Sequence, residues 1–367
     1  MPDDPKRVEV IVVNMLESEH PTGMAVAGEA VRFLLQGSIA REGPSWIPRI
    51  VRFINNSLPS GIVQMLFRCA LAQIIPLLVR GSIHLIFTSH HAPLWKTGRH
   101  SMIVHDLISI EFPFQHRAQT LYFLLLLPRL LRAASRTIFI SHSVEALARR
   151  HLSGELSGNV WVIPSYNRRL AEYLPSTISL PSRIAARRFF LVGARFPHKN
   201  LTLVLLAAKA LGRRGESNFK ISVMGCTDAL WEQDGLAELK AHGVVETSDY
   251  AAQEEVEGAY REATAFIYVS LAEGQGLPPI EAMAQGCPVI AADVPVLRET
   301  CGDGAQYVKP GDFEGLADLM QQILRGEMKE ELVARQSEGY RQAARYSRES
   351  ITTKWTDFVS SLGAQSI

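Results

Sequence analysis

Four charged side chains in the second half of the sequence have the types and spacing needed to hold a phosphate-bearing sugar. Glu273 and Glu281 flank a glycine-rich loop, and Arg195 and Lys199 lie in an earlier turn. An ionised carboxylate accepts two hydrogen bonds, so two glutamates suit the vicinal hydroxyls of a ribose or hexose, and fixed cations suit a diphosphate. The alternative is structural: Glu273 caps its turn, and Glu281 lies on a solvated helix face.

The glycine-rich loop follows an apolar strand, AFIYV, and runs into a helix that begins with Pro278 and Pro279. Proline is well placed at a helix start but has no N–H to donate. The expected donors for a bound anion are therefore the next backbone amides, assisted by the helix dipole. These amides belong to Gly274, Gln275, Gly276 and Leu277.

The two cations lie in the segment VGARFPHKN, between a predicted strand and a predicted helix. Fixed cations such as Arg195 and Lys199 suit an anionic ligand, because they stabilise its negative charge. The alternative is that both are solvent-exposed loop residues, as most arginines and lysines are.

Two positions in the first half also follow predicted strands. Gly23 lies in a turn after the first strand, and His105 directly follows Met102–Val104. Glycine turns are common in α/β proteins, so Gly23 alone is weak evidence of a phosphate site. A single histidine is more often structural than catalytic.

Short β-branched runs alternate with helical patterns throughout, which predicts parallel sheets with crossover helices. Ligands of such sheets bind outside the carboxyl ends of the strands, where the residues above lie. The predicted strands are Val8–Val13, His84–Thr88, Met102–Val104, Thr137–Ile140, Val160–Ile163, Phe189–Val192, Lys220–Met224, Ala265–Val269, Pro288–Ala291 and Gln306–Val308.

The length of 367 residues predicts two domains rather than one. A polar segment with Ser, Pro and Arg, residues 171–188, is interpreted as the linker. We place the first domain at 1–183, with a returning helix at 345–367 anchored by Trp355 and Phe358, and the second at 184–344.

The overall charge is balanced but unevenly distributed. With 38 Lys+Arg against 37 Asp+Glu, the net charge of +1 excludes a strongly basic nucleic-acid binder. Between residues 32 and 99, however, eight basic side chains meet only one acidic one. This basic stretch is either a solvated face or a surface for anionic lipid or a phosphate-bearing acceptor.

Cysteine spacing and hydropathy indicate the compartment. The four cysteines show no C-x-x-C spacing, which favours neither disulfides nor a zinc site. The charged start MPDDPKRVEV is unlike a signal peptide, and the apolar segments 61–80 and 121–131 are interrupted by Arg and Pro. We expect a cytoplasmic protein, free or on the inner face of the cytoplasmic membrane, with these segments as buried or interfacial helices.

The glycine-rich loop and its helix resemble the nucleotide-sugar site of GT-B glycosyltransferases of family four, also called glycosyl transferases group 1. The shared pattern is E-G-x-G-L-P-x-x-E-A-M-A-x-G-x-P-V-I, from Glu273 to Ile290. VGARFPHKN is similar to the family's G-x-R-x-x-x-K-N signature. Gln275 departs from the family, which usually has Phe or Tyr there; the change affects either packing or donor-sugar preference.

For the second half, the resemblance implies that Glu273 contacts the transferred sugar and Glu281 binds the ribose. It also implies that the loop amides of residues 274–277 meet the diphosphate, which Arg195 and Lys199 grip.

For the whole chain, the resemblance implies a GT-B fold: α/β, with two Rossmann-like doubly wound domains facing across a cleft and a C-terminal helix that crosses back to the first. In the first domain, His105 is expected to contact the transferred sugar, and the loop at Gly23 to lie over the phosphates.

The implied activity is that of a retaining, metal-independent glycosyltransferase that uses a nucleotide diphospho-sugar and no other cofactor. The absence of a D-x-D pair leaves no candidate for a metal–diphosphate clamp. The H-K-N form is typical of bacterial mannosyl- and rhamnosyl-type enzymes, so GDP-mannose is the favoured donor. A saccharide or lipid-diphosphate-linked acceptor in surface polysaccharide synthesis, such as that of lipopolysaccharide, is expected.

Two alternatives remain open. A GT-B sugar-nucleotide epimerase requires paired acid/base carboxylates, which the sequence does not identify. A non-catalytic protein could keep the nucleotide site without transfer activity. A Rossmann dehydrogenase is disfavoured, because no G-x-G-x-x-G follows the first strand.

Overall fold

A computed structural model of the chain describes residues 9–17, 23–35, 43–59, 62–115, 117–152, 154, 156, 159–167, 170, 179–226, 231–232, 235–249 and 251–363. The strands are β1 (Val10–Val13), β2 (His84–Phe87), β3 (His100–Val104), β4 (Arg136–Phe139), β5 (Val160–Val162), β6 (Arg188–Val192), β7 (Lys220–Met224), β8 (Val245–Ser248), β9 (Ala265–Tyr268), β10 (Val289–Ala292) and β11 (Ala305–Val308). The helices are α1 (Gly23–Leu35), α2 (Trp46–Ser57), α3 (Ile62–Leu78), α4 (Ile108–Glu111), α5 (Arg117–Ala133), α6 (His142–Leu152), α7 (Leu180–Ala186), α8 (Leu201–Arg213), α9 (Leu236–Ala241), α10 (Gln253–Glu262), α11 (Leu277–Ala284), α12 (Pro295–Cys301), α13 (Phe313–Arg325), α14 (Lys329–Ala344) and α15 (Arg348–Gly363).

The chain forms two compact units. The first comprises Met1–Arg168 and Tyr346–Ile367, and the second comprises Arg169–Arg345. Each unit is built on its own parallel sheet, so the predicted α/β organisation is confirmed for both halves.

The sheet of the first unit has the strand order β1-β2-β3-β4-β5. Strands β1 to β4 are buried on both faces, and successive side chains enter two separate apolar cores. In β1, for example, Ile11 and Val13 pack with helices α2, α3, α5 and α6, whereas Val10 and Val12 pack with α1 and α15.

The C-terminal helix α15 belongs to the first unit, as predicted. The ring of Phe358 lies 5.6 Å from that of Trp355 and 5.4 Å from that of Trp161, which follows the start of β5. Arg136 of β4 donates a hydrogen bond from Nη2 to the backbone carbonyl of Ser361 at 2.8 Å. The last helix is therefore held by both aromatic packing and a hydrogen bond.

The sheet of the second unit has the order β11-β10-β9-β6-β7-β8. The chain runs outward from β6 to β8, returns to the other side of β6 with β9, and runs outward again to β11. Such a reversal leaves a crevice outside the carboxyl ends of the two central strands, here β6 and β9. The loops at this switch point carry most of the residues singled out by the sequence.

The ten predicted strands are present within two residues at each end, apart from Val8, which lies outside the described residues. Strand β8 was not predicted. It is an edge strand whose sequence is VETS, and of its four residues only Val245 is buried. An edge strand of this kind lacks the apolar run from which the others were recognised.

The units divide between Arg168 and Arg169, whereas the sequence placed the boundary between residues 183 and 184. The difference comes from α7, which lies within the predicted linker. Its Arg183 is fully buried and donates hydrogen bonds of 2.8–3.1 Å to three backbone carbonyls of the second unit. Arginine is rarely buried, so an Arg-containing polar segment gives no sign of such an anchor.

Candidate functional site

The carboxyl ends of β6 and β9 bring Lys199 and Glu273 into direct contact. Lys199 Nζ lies 2.6 Å from Glu273 Oε1, and the two side chains are only 19% and 10% exposed. A third side chain, Tyr268 at the end of β9, donates its hydroxyl to the same oxygen of Glu273 at 2.6 Å. Lys199 also lies 3.2 Å from the hydroxyl of Tyr268. We call Lys199, Tyr268 and Glu273 the switch-point cluster.

The switch-point cluster keeps Glu273 ionised. Burial by itself raises the pKa of Glu273, but the ammonium of Lys199 and hydrogen bonds from Lys199, Tyr268 and Ser270 outweigh it, and the pKa lies below its ordinary value. Burial and the neighbouring carboxylate of Glu273 raise the pKa of Tyr268 well above its ordinary value. At neutral pH the site thus contains a carboxylate, a protonated phenol that donates to it, and a cation.

The loop that carries Lys199 is fastened to the loop that carries Glu273. The carbonyl of His198 accepts from the amide of Leu271 at 2.8 Å and from Ser270 Oγ at 3.3 Å. Farther back, Trp231 Nε1 donates to the carbonyl of Ala194 at 3.0 Å. These bonds between backbone segments fix the distance between the ammonium and the carboxylate.

The glycine-rich loop is shaped by Gly276. Its φ of +91° is a left-handed conformation that side chains disfavour, and a Cβ there would lie 2.9 Å from a methyl carbon of Leu297. The next residue, Leu277, begins α11, with Pro278 in its first turn, as predicted. The first N–H groups of a helix have no intrahelical acceptor, so this turn presents amides where an anion can bind.

The residues around this turn are closely packed. Gly274 and Gln275 are buried, and Thr300 Oγ1 donates to the carbonyl of Gln275. The Gln that replaces the family's aromatic residue therefore lies inside the loop, where it is 4% exposed.

Glu281 lies in the second turn of α11 and is partly buried. The hydroxyl of Tyr260 donates to its Oε2 at 3.4 Å, which is a long hydrogen bond. Glu281 also contributes to the raised pKa of Tyr268, after burial, Glu273 and Tyr260. Both glutamates named from the sequence thus act on the pKa of the same tyrosine.

Arg195 is on the loop with Lys199 but is not part of the switch-point cluster. Its side chain is exposed, and among the described residues it has no hydrogen bond or ion pair.

In the first unit, His105 follows β3 and is 4% exposed. Its Nε2 lies 2.7 Å from the carbonyl of Thr88. A carbonyl accepts only, so Nε2 carries the proton. Burial lowers the pKa of His105, although the bond to Thr88 acts against this. The ring is therefore neutral, and Nδ1 is left as a hydrogen-bond acceptor.

Gly23 is the first residue of α1, and residues 18–22 before it lie outside the described residues. Five residues on, Gly28 packs against the ends of β1 and β2. A Cβ at Gly28 would lie 2.5 Å from Thr88 Oγ1 and 2.8 Å from Asn14 Cγ. Gly28 is therefore a position of close packing.

A cavity of about 210 Å³ adjoins the loop after β2, in the first unit. Its polar lining includes Arg68, Ser89, His91 and Gln119. Burial, with a smaller effect from Arg68, lowers the pKa of His91 to about 3, so its imidazole is neutral. The sequence analysis missed this cavity, although the S-H-H triplet after a predicted strand was a visible signal.

Tyr268 and Tyr260 were also missed. Tyr268 lies within the apolar run AFIYV and was interpreted as part of a core strand. In the described part of the chain, no group of three His, Cys, Asp or Glu side chains is arranged to hold a metal ion.

Comparison with known proteins gives one family match and several fold matches. Residues 182–343 match the family described as Glycosyl transferases group 1. The O-antigen chain mannosyltransferase RfbU of Salmonella typhimurium is 28% identical over 245 residues, which are 66% of this chain. The alignment covers 65% of that relative, just under two thirds of its length.

Two solved structures share the fold over nearly their whole length. Sucrose-phosphate synthase from Thermosynechococcus elongatus aligns with a TM-score of 0.68 and 18% identity, over 98% of this chain and 99% of that one. Anabaena HepE, solved with UDP and glucose, aligns with a TM-score of 0.66 and 16% identity, over 96% of this chain and 100% of that one. At these identities the comparisons establish the fold.

Proposed function

Because residues 182–343 match the family described as Glycosyl transferases group 1, we propose that this chain is a glycosyltransferase that moves a hexose from a nucleotide diphospho-sugar to a saccharide acceptor. The observation that carries the proposal is the switch-point cluster: a buried ion pair between Lys199 and Glu273, beside a helix N-terminus, at the carboxyl ends of β6 and β9.

Lys199 is proposed to stabilise the leaving diphosphate. An ammonium has three N–H donors, and two of them are directed at Glu273 and Tyr268. The third is free to meet a phosphate oxygen. The amides of residues 274–277 and the exposed Arg195 would contribute further donors to the diphosphate.

Glu273 is proposed to face the transferred sugar. Positive charge develops at the anomeric carbon as the bond to the diphosphate breaks, and a nearby carboxylate stabilises it. The lowered pKa keeps Glu273 anionic, and the Tyr268 hydroxyl holds its orientation. Glu281 would bind the ribose hydroxyls through its carboxylate.

His105 is proposed to contact a sugar hydroxyl. With Nε2–H committed to Thr88, Nδ1 can accept a hydrogen bond from such a hydroxyl. Replacing His105 by Gln removes this acceptor geometry, so we expect weaker turnover with little change in nucleotide affinity.

The finer features are also part of the proposal. We propose a retaining reaction in which a phosphate oxygen of the leaving group takes the acceptor proton, without a metal ion or further cofactor. GDP-mannose is the favoured donor, supported by the name of the Salmonella relative and by the H-K-N form. The acceptor is a saccharide or lipid-diphosphate-linked saccharide of surface polysaccharide synthesis, and the first-unit cavity beside Ser89 and His91 suits its hydroxyls.

The experiment is a transfer assay with purified protein in EDTA. UDP-, GDP-, ADP- and dTDP-sugars are offered with mannose oligosaccharides, and both release of nucleoside diphosphate and growth of the acceptor are measured. We expect acceptor-dependent release, strongest with GDP-mannose, and loss of about a hundredfold in Glu273→Gln. Epimerised sugar nucleotide formed without acceptor would instead identify an epimerase, and binding without reaction would identify a non-catalytic protein.

A further inference from the structure

Three helices of the first unit have an apolar side that faces solvent. Helices α2, α3 and α5 all contribute buried residues to the same core on one face of the sheet. The opposite side of such a helix is normally polar. In these three helices it is largely aliphatic and aromatic, and we call it the apolar helical face.

Helix α3 shows the pattern most clearly. Its buried residues include Leu71 and Ile75, which face the core. Leu66, Phe67, Leu77 and Leu78 lie on other sides of the helix and are 60%, 52%, 66% and 57% exposed. No charged side chain lies among the exposed positions of this helix.

Helices α5 and α2 extend the apolar helical face. Leu121, Leu124 and Leu125 of α5 are 58–60% exposed, and Phe53 of α2 is 61% exposed. In the turn before α5, Phe114 is 84% exposed. Large apolar side chains on three neighbouring elements form a patch rather than scattered single residues.

The second unit lacks such a patch. Among its described residues, three large apolar side chains are exposed, at 36–51%: Phe196, Leu206 and Val333, each on a different element. Scattered residues of this kind are usual on soluble proteins. The apolar helical face is therefore specific to the first unit.

The charges on these helices are of one sign. Helices α2, α3 and α5 contain no Asp or Glu, and α2 and α5 carry exposed arginines, among them Arg49, Arg117 and Arg129. On α2, Arg49 and Arg52 line a surface groove of about 390 Å³ beside Phe53. Glu17 forms an ion pair with Arg52 at 3.3 Å, and Glu111 lies on the short helix α4, which packs against α5. A second copy of this surface would bring arginine against arginine, so an anionic partner fits better.

We propose that the apolar helical face docks on a bilayer that contains anionic lipids. The leucine and phenylalanine side chains enter the boundary between headgroups and acyl chains, and the arginines bind headgroup phosphates. Among the described residues no helix is long and apolar enough to cross a membrane. Docking in the plane of the interface is the arrangement consistent with three such helices side by side.

The proposal rests on the surface of the first unit and does not depend on the proposed transferase activity. It is tested with the full chain by flotation with vesicles of phosphatidylethanolamine, with or without phosphatidylglycerol. We expect flotation with phosphatidylglycerol vesicles that weakens as salt rises, because the arginine contribution is screened. Glu273→Gln should float like the wild type, which separates failure of this proposal from failure of the proposed reaction.

The decisive variant is Leu77→Ser with Leu124→Ser. Both side chains are more than half exposed, so the fold tolerates the change, while vesicle affinity should fall about tenfold for each leucine, or about 1.4 kcal/mol. Val333→Ser, at an apolar position of the second unit that is 51% exposed, is the matched control and should leave affinity unchanged. Absence of flotation by the wild type, or equal flotation by the double variant, would overturn the proposal. A concentration-dependent dimer that the double variant dissolves, without vesicle binding, would identify a second copy as the occupant.

Discussion

Replacing Lys199 by methionine breaks the buried ion pair while keeping the length of the side chain. Glu273 then retains only hydroxyl donors, from Tyr268 and Ser270, for a carboxylate that is 10% exposed. Removing one partner from a buried pair costs about 3–5 kcal/mol in the free energy of unfolding. Because Lys199 is 19% exposed, part of this cost is met by water, and we expect about 3 kcal/mol.

The pH dependence of this loss has a defined sign. In the wild type the folded pKa of Glu273 is lowered, so its stabilising contribution is present above the unfolded value of 4.5 and is lost as the pH falls. In Lys199→Met, burial acts without the ammonium and raises the folded pKa. The carboxyl then favours the folded state below about 4.5 and disfavours it as the pH rises. The loss in the free energy of unfolding of Lys199→Met, relative to wild type, should therefore grow as the pH rises.

Urea unfolding of the full chain between pH 4.5 and 8, followed by circular dichroism, measures this deficit. Taking the difference from wild type removes the contributions of other titrating groups. Arg195→Ala, on the same loop but exposed, should stay within about 0.5 kcal/mol of wild type. Lys199→Met combined with Glu273→Gln should recover most of the loss. A deficit independent of pH and below about 1 kcal/mol would refute the buried, ionised pair.

Three further predictions concern the loop, the ribose site and the first unit. Gly276→Ala should lower the melting temperature more than Gly311→Ala. Both glycines have positive φ, but only at Gly276 would a Cβ lie against a neighbouring side chain. Equal losses in melting temperature would argue against that clash. Glu281→Gln should weaken nucleoside diphosphate binding about tenfold or more, as measured by calorimetry. Tyr260→Phe removes a 3.4 Å hydrogen bond to Glu281 and should change this affinity less than threefold, or about 0.6 kcal/mol. If Tyr260→Phe had the larger effect, the ribose would bind elsewhere. Burial lowers the pKa of His84 to about 3. Below about pH 6.5 the unfolded chain therefore binds a proton that the folded chain does not, which lowers the free energy of unfolding by about 2 kcal/mol at pH 5. His84→Gln should reduce the acid destabilisation by that amount in urea titrations at pH 7 and pH 5, and an unchanged loss would show that His84 is not its source.

Strands could be predicted from the sequence where a run of apolar residues coincides with burial on both faces of the sheet. Strands buried on both faces, such as β1 and β9, are continuous apolar runs bounded by polar residues, and they were located within two residues. The edge strand β8 was missed because one of its faces is solvated and its sequence is polar. The boundary between units was misplaced because the anchor of α7 is a buried Arg183, whose interactions with distant carbonyls leave no local signal.

The site was predictable as a set of residues but not as an arrangement. Lys199 and Glu273 could be named from their motifs, yet their contact depends on β6 and β9 being neighbours, which requires the order of strands in the sheet. Tyr268 could not be distinguished from a core residue, because its ring is buried and only its hydroxyl enters the site. The exposed position of Arg195 likewise depends on the conformation of its loop, which the motif does not specify.

A crystal structure of the chain with the nucleoside diphosphate that binds most tightly tests the central claim directly. The account predicts phosphate oxygens within about 3.2 Å of Lys199 Nζ and of the amides of residues 274–277, with the ribose hydroxyls on Glu281. A diphosphate bound away from the carboxyl ends of β6 and β9, with the Lys199–Glu273 pair unchanged and unliganded, would contradict it.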